Sequence, residues 1–413
     1  MKYYLISGEA SGDLHGAHLI AALKKQDPHG VFRAWGGDLM EKEGAHLVKH
    51  FKDLAFMGFW EVVRHLPTIL KNIRFCKQDI LQFQPDVIIY IDYPGFNLRI
   101  AQWAKSQKFK NNYYISPQVW AWKESRVQKM KQCLDALYVI LPFEKTFFEK
   151  KHQFQVHYVG HPLMEYIPSH LKNKNFLSAN NLDKDKPLVA LLPGSRIQEI
   201  KKMLPLFVEV ASQFPNHQFV IAGAPSIGRE RYTKWIEKTQ LKIVYGATYD
   251  LLQHSNAALV TSGTATLETA LFKVPQLVCY RSSYVSYWIG KQILNLKYIS
   301  LVNLILNKET VLELIQNECK PKRLEQELKN LLEFKDKAQQ EGYQELFSLL
   351  GSGGASDRTA SLIWESLRKK YHFLFLKILV SLGHEIAPLA FTNPSNVFYF
   401  WSLPLFFCCS FIL

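Results

Sequence analysis

The chain has 413 residues, 48% of them apolar, which is material enough for two domains with buried cores. A net charge of +14 calls for an anionic partner: nucleic acid, a membrane surface or a phosphorylated substrate. The six cysteines form no CxxC pair, which fits a reducing cytoplasm and argues against a disulfide framework or a structural zinc.

In chain order, short β-branched or aromatic runs alternate with helical stretches. Strands are expected at 3–6, 31–35, 87–91, 113–115, 137–140 and 156–159. Residues 1–6 read as the first strand, not as a leader peptide, because they lack a basic start and a long apolar core. A polar stretch rich in Lys and Asn, 168–187, reads as a linker. A second strand series is expected at 188–192, 219–222, 243–245, 258–260 and 276–279. Continuous apolar strands between helices indicate parallel sheets covered on both faces. The expected fold is therefore α/β, with two doubly wound Rossmann-like domains facing a cleft. The expected division is 1–167, the linker 168–187, 188–345, a helical segment 346–371 and an apolar tail 372–413.

Five loops at expected strand ends carry candidate chemistry. The first is "SGEASGDLHG", residues 7–16. No lysine follows its last glycine, so it is not a Walker loop. Gly8, Gly12 and Gly16 permit close backbone approach to a ligand, and Ser11, Glu9 and Asp13 suit sugar hydroxyls better than phosphate. A plain strand–helix turn is the alternative. The second is "IDYPGFN", 91–97, which puts Asp92 at a strand's carboxyl end as a candidate general base, or as a simple cap before Pro94. The third, "SPQVWAWKESR", 116–126, sets Trp120 and Trp122 beside Lys123 and Arg126. Such groups stack nucleic-acid bases. Core tryptophans beside a basic helix explain them as well, and no nucleic-acid-binding signature is present.

The fourth loop is "LLPGSRIQEI", 191–200. Gly194 turns the chain, Ser195 can cap a helix, and Glu199 lies too far along to complete a capping box. Arg196 then falls in the first helical turn, against the helix dipole, which a bound phosphate would explain. The fifth is "VTSGTATLETA", 260–270, where Ser262, Gly263, Thr264 and Thr266 offer hydroxyls and backbone N–H groups to a phosphate. Glu268 follows as a candidate ligand for ribose hydroxyls. A well-capped core helix is the alternative.

Taken together, "SGEASGD", "DLAFMGFWEV", "PDVIIYIDYPGFN", "SPQVWAWKESR", "LPFEK", "VGHPL", "LLPGSR", "TSGTATLE" and "YISLVNLIL" resemble, in that order, the lipid-A-disaccharide synthases, inverting glycosyltransferases of the GT-B type. The resemblance runs from about Lys2 to about Lys370. It implies a reaction between UDP-2,3-diacylglucosamine and 2,3-diacylglucosamine 1-phosphate that gives a β-1,6 disaccharide and UDP. It implies that Asp92 is the base; the first loop is then expected to face the cleft and hold the acceptor sugar or the donor glucosamine, with Glu9 as a further candidate catalytic carboxylate. It assigns Arg196 to the donor, and Glu268 and Asn303 to the nucleotide cleft. Neither a cofactor nor a metal is implied. Many members carry an acid where this chain has Gly95 and a small residue where it has Tyr93. A homodimer with an exchanged C-terminal segment is also implied, and nucleic acid is not a partner. A UDP-sugar 2-epimerase and a non-catalytic binding protein remain as alternatives.

Acylated substrates require a membrane surface, here the inner face of the inner membrane reached from the cytoplasm. Segment 54–77 suits this: Phe56, Met57, Phe59 and Trp60 are the expected membrane-facing residues, with Arg64, Lys71, Arg74 and Lys77 among further apolar positions. A buried helix kinked at Pro67 is the alternative. The last 17 residues, 397–413, carry no charge. They read equally as a spanning anchor, an interfacial segment or a non-native extension.

Overall fold

The computed structural model describes residues 1–53, 66–224, 227–237, 239, 241–281, 297–334 and 337–369. Phe56, Met57, Phe59, Trp60 and the tail 372–413 lie outside the described residues.

Seven strands form the first sheet: β1 (Lys2–Ile6), β2 (Val31–Gly36), β3 (His46–His50), β4 (Val87–Ile91), β5 (Asn111–Tyr114), β6 (Ala136–Val139) and β7 (His157–Tyr158). Six form the second: β8 (Leu188–Leu192), β9 (Gln218–Gly223), β10 (Lys242–Tyr245), β11 (Ala257–Thr261), β12 (Gln276–Tyr280) and β13 (Leu312–Ile315). The orders are β3-β2-β1-β4-β5-β6-β7 and β10-β9-β8-β11-β12-β13, with every pairing parallel. Strands buried on both faces, such as β4 "VIIYI" and β8 "LVALL", are apolar throughout for that reason. Winding reverses between β1 and β4 in one sheet and between β8 and β11 in the other. Each reversal opens a crevice at the carboxyl ends of the strands, where doubly wound folds bind ligands. These are two Rossmann-like sheets of the GT-B kind.

The expected linker 168–187 is tied to the second half. Phe176 and Leu182 are buried in the core under β8 to β10. His170 Nε2 meets Asp250 Oδ1 at 3.1 Å, and Gln253 donates to the His170 carbonyl. The helix Lys337–Leu350 runs through the expected boundary at 345 and packs against the second half. A further helix, over 355–369, crosses back: Ala355, Ala360, Ile363 and Leu367 join Tyr3, Leu5, Leu19 and Ile89 in the first core. These bounds depend on long-range apolar contacts that local composition does not carry.

The chain thus passes between the halves twice, and the two passages touch. A Cβ on Gly353 would lie 2.7 Å from the Met164 carbonyl oxygen, so only glycine fits there. Glu165 accepts from the Ser356 backbone N–H and hydroxyl, and Arg358 Nε donates to the Val159 carbonyl at 2.7 Å. Between the halves lies an apolar layer in which Leu163, Met164 and Ile167 meet Leu267, Val302 and Leu346. Beside it runs a row of rings. His18 and Tyr166 stack at 5.2 Å, and Tyr166 and Tyr249 at 6.3 Å.

From Leu66 onward the greasy segment is the helix Leu66–Phe83. Ile73, Cys76 and Ile80 pack into the first core, while Leu70 and Phe75 are exposed. Among the described residues no helix is long and apolar enough to cross a membrane.

Candidate active site

Asp92 directly follows β4 with φ 45°, and Tyr93 comes next at φ 52°. Two consecutive non-glycine residues in the left-handed region cost about 1–3 kcal/mol each, so the surroundings must enforce the turn. They do. The Asp92 carbonyl accepts from Asn97 Nδ2 at 2.7 Å and from the Tyr113 hydroxyl. Asn97 also reaches the Ile6 and Ile91 carbonyls, tying the turn to both central strands. Pro94 then opens the helix Pro94–Ser106. The Asp92 carboxylate is left half-buried at the sheet's carboxyl edge. Burial pushes its carboxyl above the usual range, while the Tyr93 N–H and the Arg196 charge hold it back.

Glu9 sits at the N-terminal cap of the helix Ala10–Gln26, at the end of β1. Its carboxyl is raised by burial and by the charge of Asp92, and Arg196 opposes the rise. Two carboxylates from the switch point of one sheet therefore share the field of one arginine from the switch point of the other. Burial and nearby charge of this kind mark functional sites.

The first loop is built differently from the sequence expectation. Its glycines admit protein, not ligand: a Cβ on Gly8 would lie 2.4 Å from the Tyr93 ring, and on Gly12 2.8 Å from Ser7 Cβ. Gly16 likewise faces Met40. Asp13 does not offer itself to a sugar. It is buried and accepts from the backbone N–H groups of Gly37, Leu39 and Met40, capping the helix Asp38–Lys42. Glu9 is half-buried and Ser11 exposed. A Cβ on Gly95 would meet nothing within 4 Å, so that position opens into space.

The fourth loop also departs from expectation. Arg196, in extended backbone, is the cap of the helix Ile197–Ala211, and Ser195 is one residue outside it. Glu199 is then the third residue of the helix and does complete a capping box. Its Oε2 accepts from the Ser195 and Arg196 backbone N–H groups at 3.1 and 3.2 Å. Its Oε1 receives Arg196 Nη1 at 3.1 Å, so the cation has a carboxylate partner on its own helix. Gly194 has φ +107°, and a Cβ there would lie 2.4 Å from Glu199 Oε2.

In the fifth loop, Gly263 caps the helix Thr264–Leu271 and Thr264 is exposed beside it. The Ser262 hydroxyl donates to the Ile299 carbonyl, and the buried Thr266 hydroxyl to the Gly263 carbonyl. Both oxygens keep acceptor capacity only, so phosphate contacts here fall to the exposed Thr264 hydroxyl and to backbone N–H groups. Glu268 Oε1 accepts from the Tyr249 hydroxyl at 2.9 Å, and burial raises its carboxyl. Asn303 does not line the cleft with its side chain. It is fully buried; Nδ2 donates to Val311 O and Glu313 Oε1, and Oδ1 accepts from the Thr310 and Val311 N–H groups. An amide has no further hydrogen bonds to give.

Sequence reasoning missed Asn97, Tyr113 and Glu144. Glu144 is buried beneath the third loop, where it accepts from Trp120 Nε1 at 3.2 Å and from the Ile140 and Leu141 N–H groups. Burial pushes it up to about 7 against those donors. The signal available was an acid just after Pro142 at the end of β6. Among the described residues no three His, Cys, Asp or Glu side chains converge on a metal position.

The family model for "Lipid-A-disaccharide synthetase" matches residues 3–363. A lipid-A-disaccharide synthase of Myxococcus xanthus (strain DK1622) is 36% identical over 374 residues, covering 89% of this chain and 97% of the relative. One from Syntrophus aciditrophicus (strain SB) is 37% identical over 374 residues, covering 88% and 97%. Among solved structures, a UDP-GlcNAc 2-epimerase of Neisseria meningitidis bound to UDP-GlcNAc superposes with a TM-score of 0.62. It is 14% identical and covers 89% of this chain and 100% of that one, a likeness of fold alone.

Proposed function

Because the chain belongs to the lipid-A-disaccharide synthetase family, a glycosyltransferase family of lipid A biosynthesis, we propose that it joins UDP-2,3-diacylglucosamine to 2,3-diacylglucosamine 1-phosphate. The observation that carries the site assignment is the Asp92 turn: a strained, half-buried carboxylate at one switch point, within the field of Arg196 at the other. Asp92 takes the proton of the acceptor's 6-hydroxyl as that oxygen bonds to the donor's anomeric carbon. The bond from that carbon to the diphosphate breaks on the opposite face, UDP leaves, and the new linkage is β-1,6. Glu9 holds hydroxyls of the reacting sugar. Arg196, together with the Gly194 backbone N–H and the backbone N–H groups at Gly263–Thr264, stabilises the charge gathering on the departing diphosphate. Glu268 takes the ribose hydroxyls.

The chain works from the cytoplasm at the inner face of the inner membrane. The exposed Leu70 and Phe75 and the +14 charge support that placement. A second copy, exchanging the C-terminal segment, is the proposed protein partner.

The test is to incubate purified protein with both lipids in detergent micelles and follow UDP release and disaccharide formation. Both products must appear in equal amounts and only with both substrates. Conversion of a UDP-sugar without acceptor would replace this reading with an epimerase.

A further inference from the structure

The loop 116–126 has no part in the chemistry just described, yet it is an unusual object. Trp122 is 42% exposed at the carboxyl edge of the first sheet. Lys123 Nζ lies 4.6 Å and Arg126 Cζ 5.1 Å from the centroid of its ring. The acid between them in sequence, Glu124, is taken by Lys151 and His152, each at 2.8 Å. Neither Lys123 nor Arg126 has a carboxylate partner among the described residues. Lys123 is moreover held at φ +56°, a conformation costly for a lysine. Two cations thus converge on one exposed ring with no counter-ion among the described residues. Attraction to the ring fixes their positions but does not neutralise them; an anion between them does.

The place of this cluster says which anion. The loop leaves β5, the neighbour of β4, whose end carries Asp92. The Tyr113 hydroxyl donates to the Asp92 carbonyl, and the Arg126 charge acts on that same hydroxyl. The cluster therefore lies one strand over from the base, in the half opposite Arg196. In a hexopyranose the carbon bearing the primary hydroxymethyl group and the anomeric carbon flank the ring oxygen, so a sugar that presents its 6-hydroxyl to Asp92 holds its anomeric substituent about 5 Å away, the spacing of neighbouring strands. We propose that Lys123 and Arg126, held on Trp122 as a platform, form the binding subsite for the acceptor's anomeric phosphate. The proposal rests on the acceptor reading above.

The experiment compares acceptors with and without the 1-phosphate, using the full chain in detergent micelles. Wild type prefers the phosphorylated acceptor in kcat/KM. In the Lys123→Gln/Arg126→Gln variant that preference falls about tenfold to a hundredfold, the loss expected for charge-assisted contacts to phosphate. UDP affinity by calorimetry stays as in wild type. The charge-keeping pair Lys123→Arg/Arg126→Lys retains most of the preference, which separates charge from shape. Equal losses on both acceptors, or equal losses in the two variants, overturn the subsite. So does an unchanged preference with weaker sedimentation on phosphatidylglycerol vesicles, which makes the cations a lipid-headgroup site. If wild type releases no UDP with either acceptor, the reaction itself is wrong and this subsite goes with it.

Discussion

Arg196 Nη1 rests 3.1 Å from Glu199 Oε1, on a carboxylate whose other oxygen caps the same helix. A cation at a helix start looked, from sequence, like the mark of a bound anion. The structure supplies a nearer reason, and it makes Glu199 a competitor for the diphosphate. Glu199→Gln keeps a residue able to cap but removes the charge. The expected result is UDP binding tighter by about tenfold or less, with stability lowered by about 0.5–1 kcal/mol. Calorimetry and a urea melt read the two effects; weaker UDP binding by a folded variant would mean that the pair acts as a unit.

Asp92→Asn should reduce turnover by about 10²–10⁴, the usual worth of a general base, with UDP affinity retained. Single-turnover kinetics and calorimetry separate the two. Near-normal turnover removes Asp92 from the mechanism.

The pH dependence has a definite sign. A base must be ionised, and burial raises both Asp92 and Glu9, so kcat/KM falls as pH drops through a midpoint above the ordinary carboxylate range. The repulsion between them is mutual. Glu9→Gln should therefore move the acid limb to lower pH. Arg196→Gln, which deletes the charge that holds both down, should move it to higher pH. Shifts in the same direction would contradict the shared field.

Glu144 links pH to stability instead of rate. Its carboxyl is raised by burial from 4.5 to about 7. The folded chain then binds more protons than the unfolded one between those values. Its contribution to stability is complete below about pH 4.5 and fades as pH rises through about 7, a change of about 3 kcal/mol in all. The stability difference between wild type and Glu144→Gln should fall steadily from pH 4.5 to 8 in denaturant melts. A flat difference would show that the three N–H donors keep the carboxylate ionised throughout.

The strand ends were legible because central parallel strands must be apolar on both faces. Expected strands 87–91 and 188–192 coincide with β4 and β8, and with them came the loops that hold Asp92 and Arg196. The strands β3 "HLVKH" and β13 "LELI" were missed, because each holds only two or three apolar residues interrupted or flanked by charged and polar ones and offers no run to read. Side-chain destinations were hidden for a different reason. Asp13 reaches across to Gly37 and Met40, Asn303 closes its own loop through Val311, and Phe176 in a polar stretch finds the second core. Each depends on a partner that only the folded chain brings near. The capping box at Glu199 turned on a one-residue error in the helix start, which is the usual uncertainty of such boundaries.

The paired passages at Met164 and Gly353 act mechanically as two pins on a single line. A chain joined once can twist, slide and swing. Joined twice at touching points, and laced there by Glu165 to Ser356 and Arg358 to Val159, the two halves cannot twist or slide at that place without breaking these contacts. Of the three motions a swing is the one that would leave them in place, and it would change the distance between the Asp92 and Arg196 turns without disturbing either sheet. The crevice between the sheets would then open or narrow without rebuilding either loop.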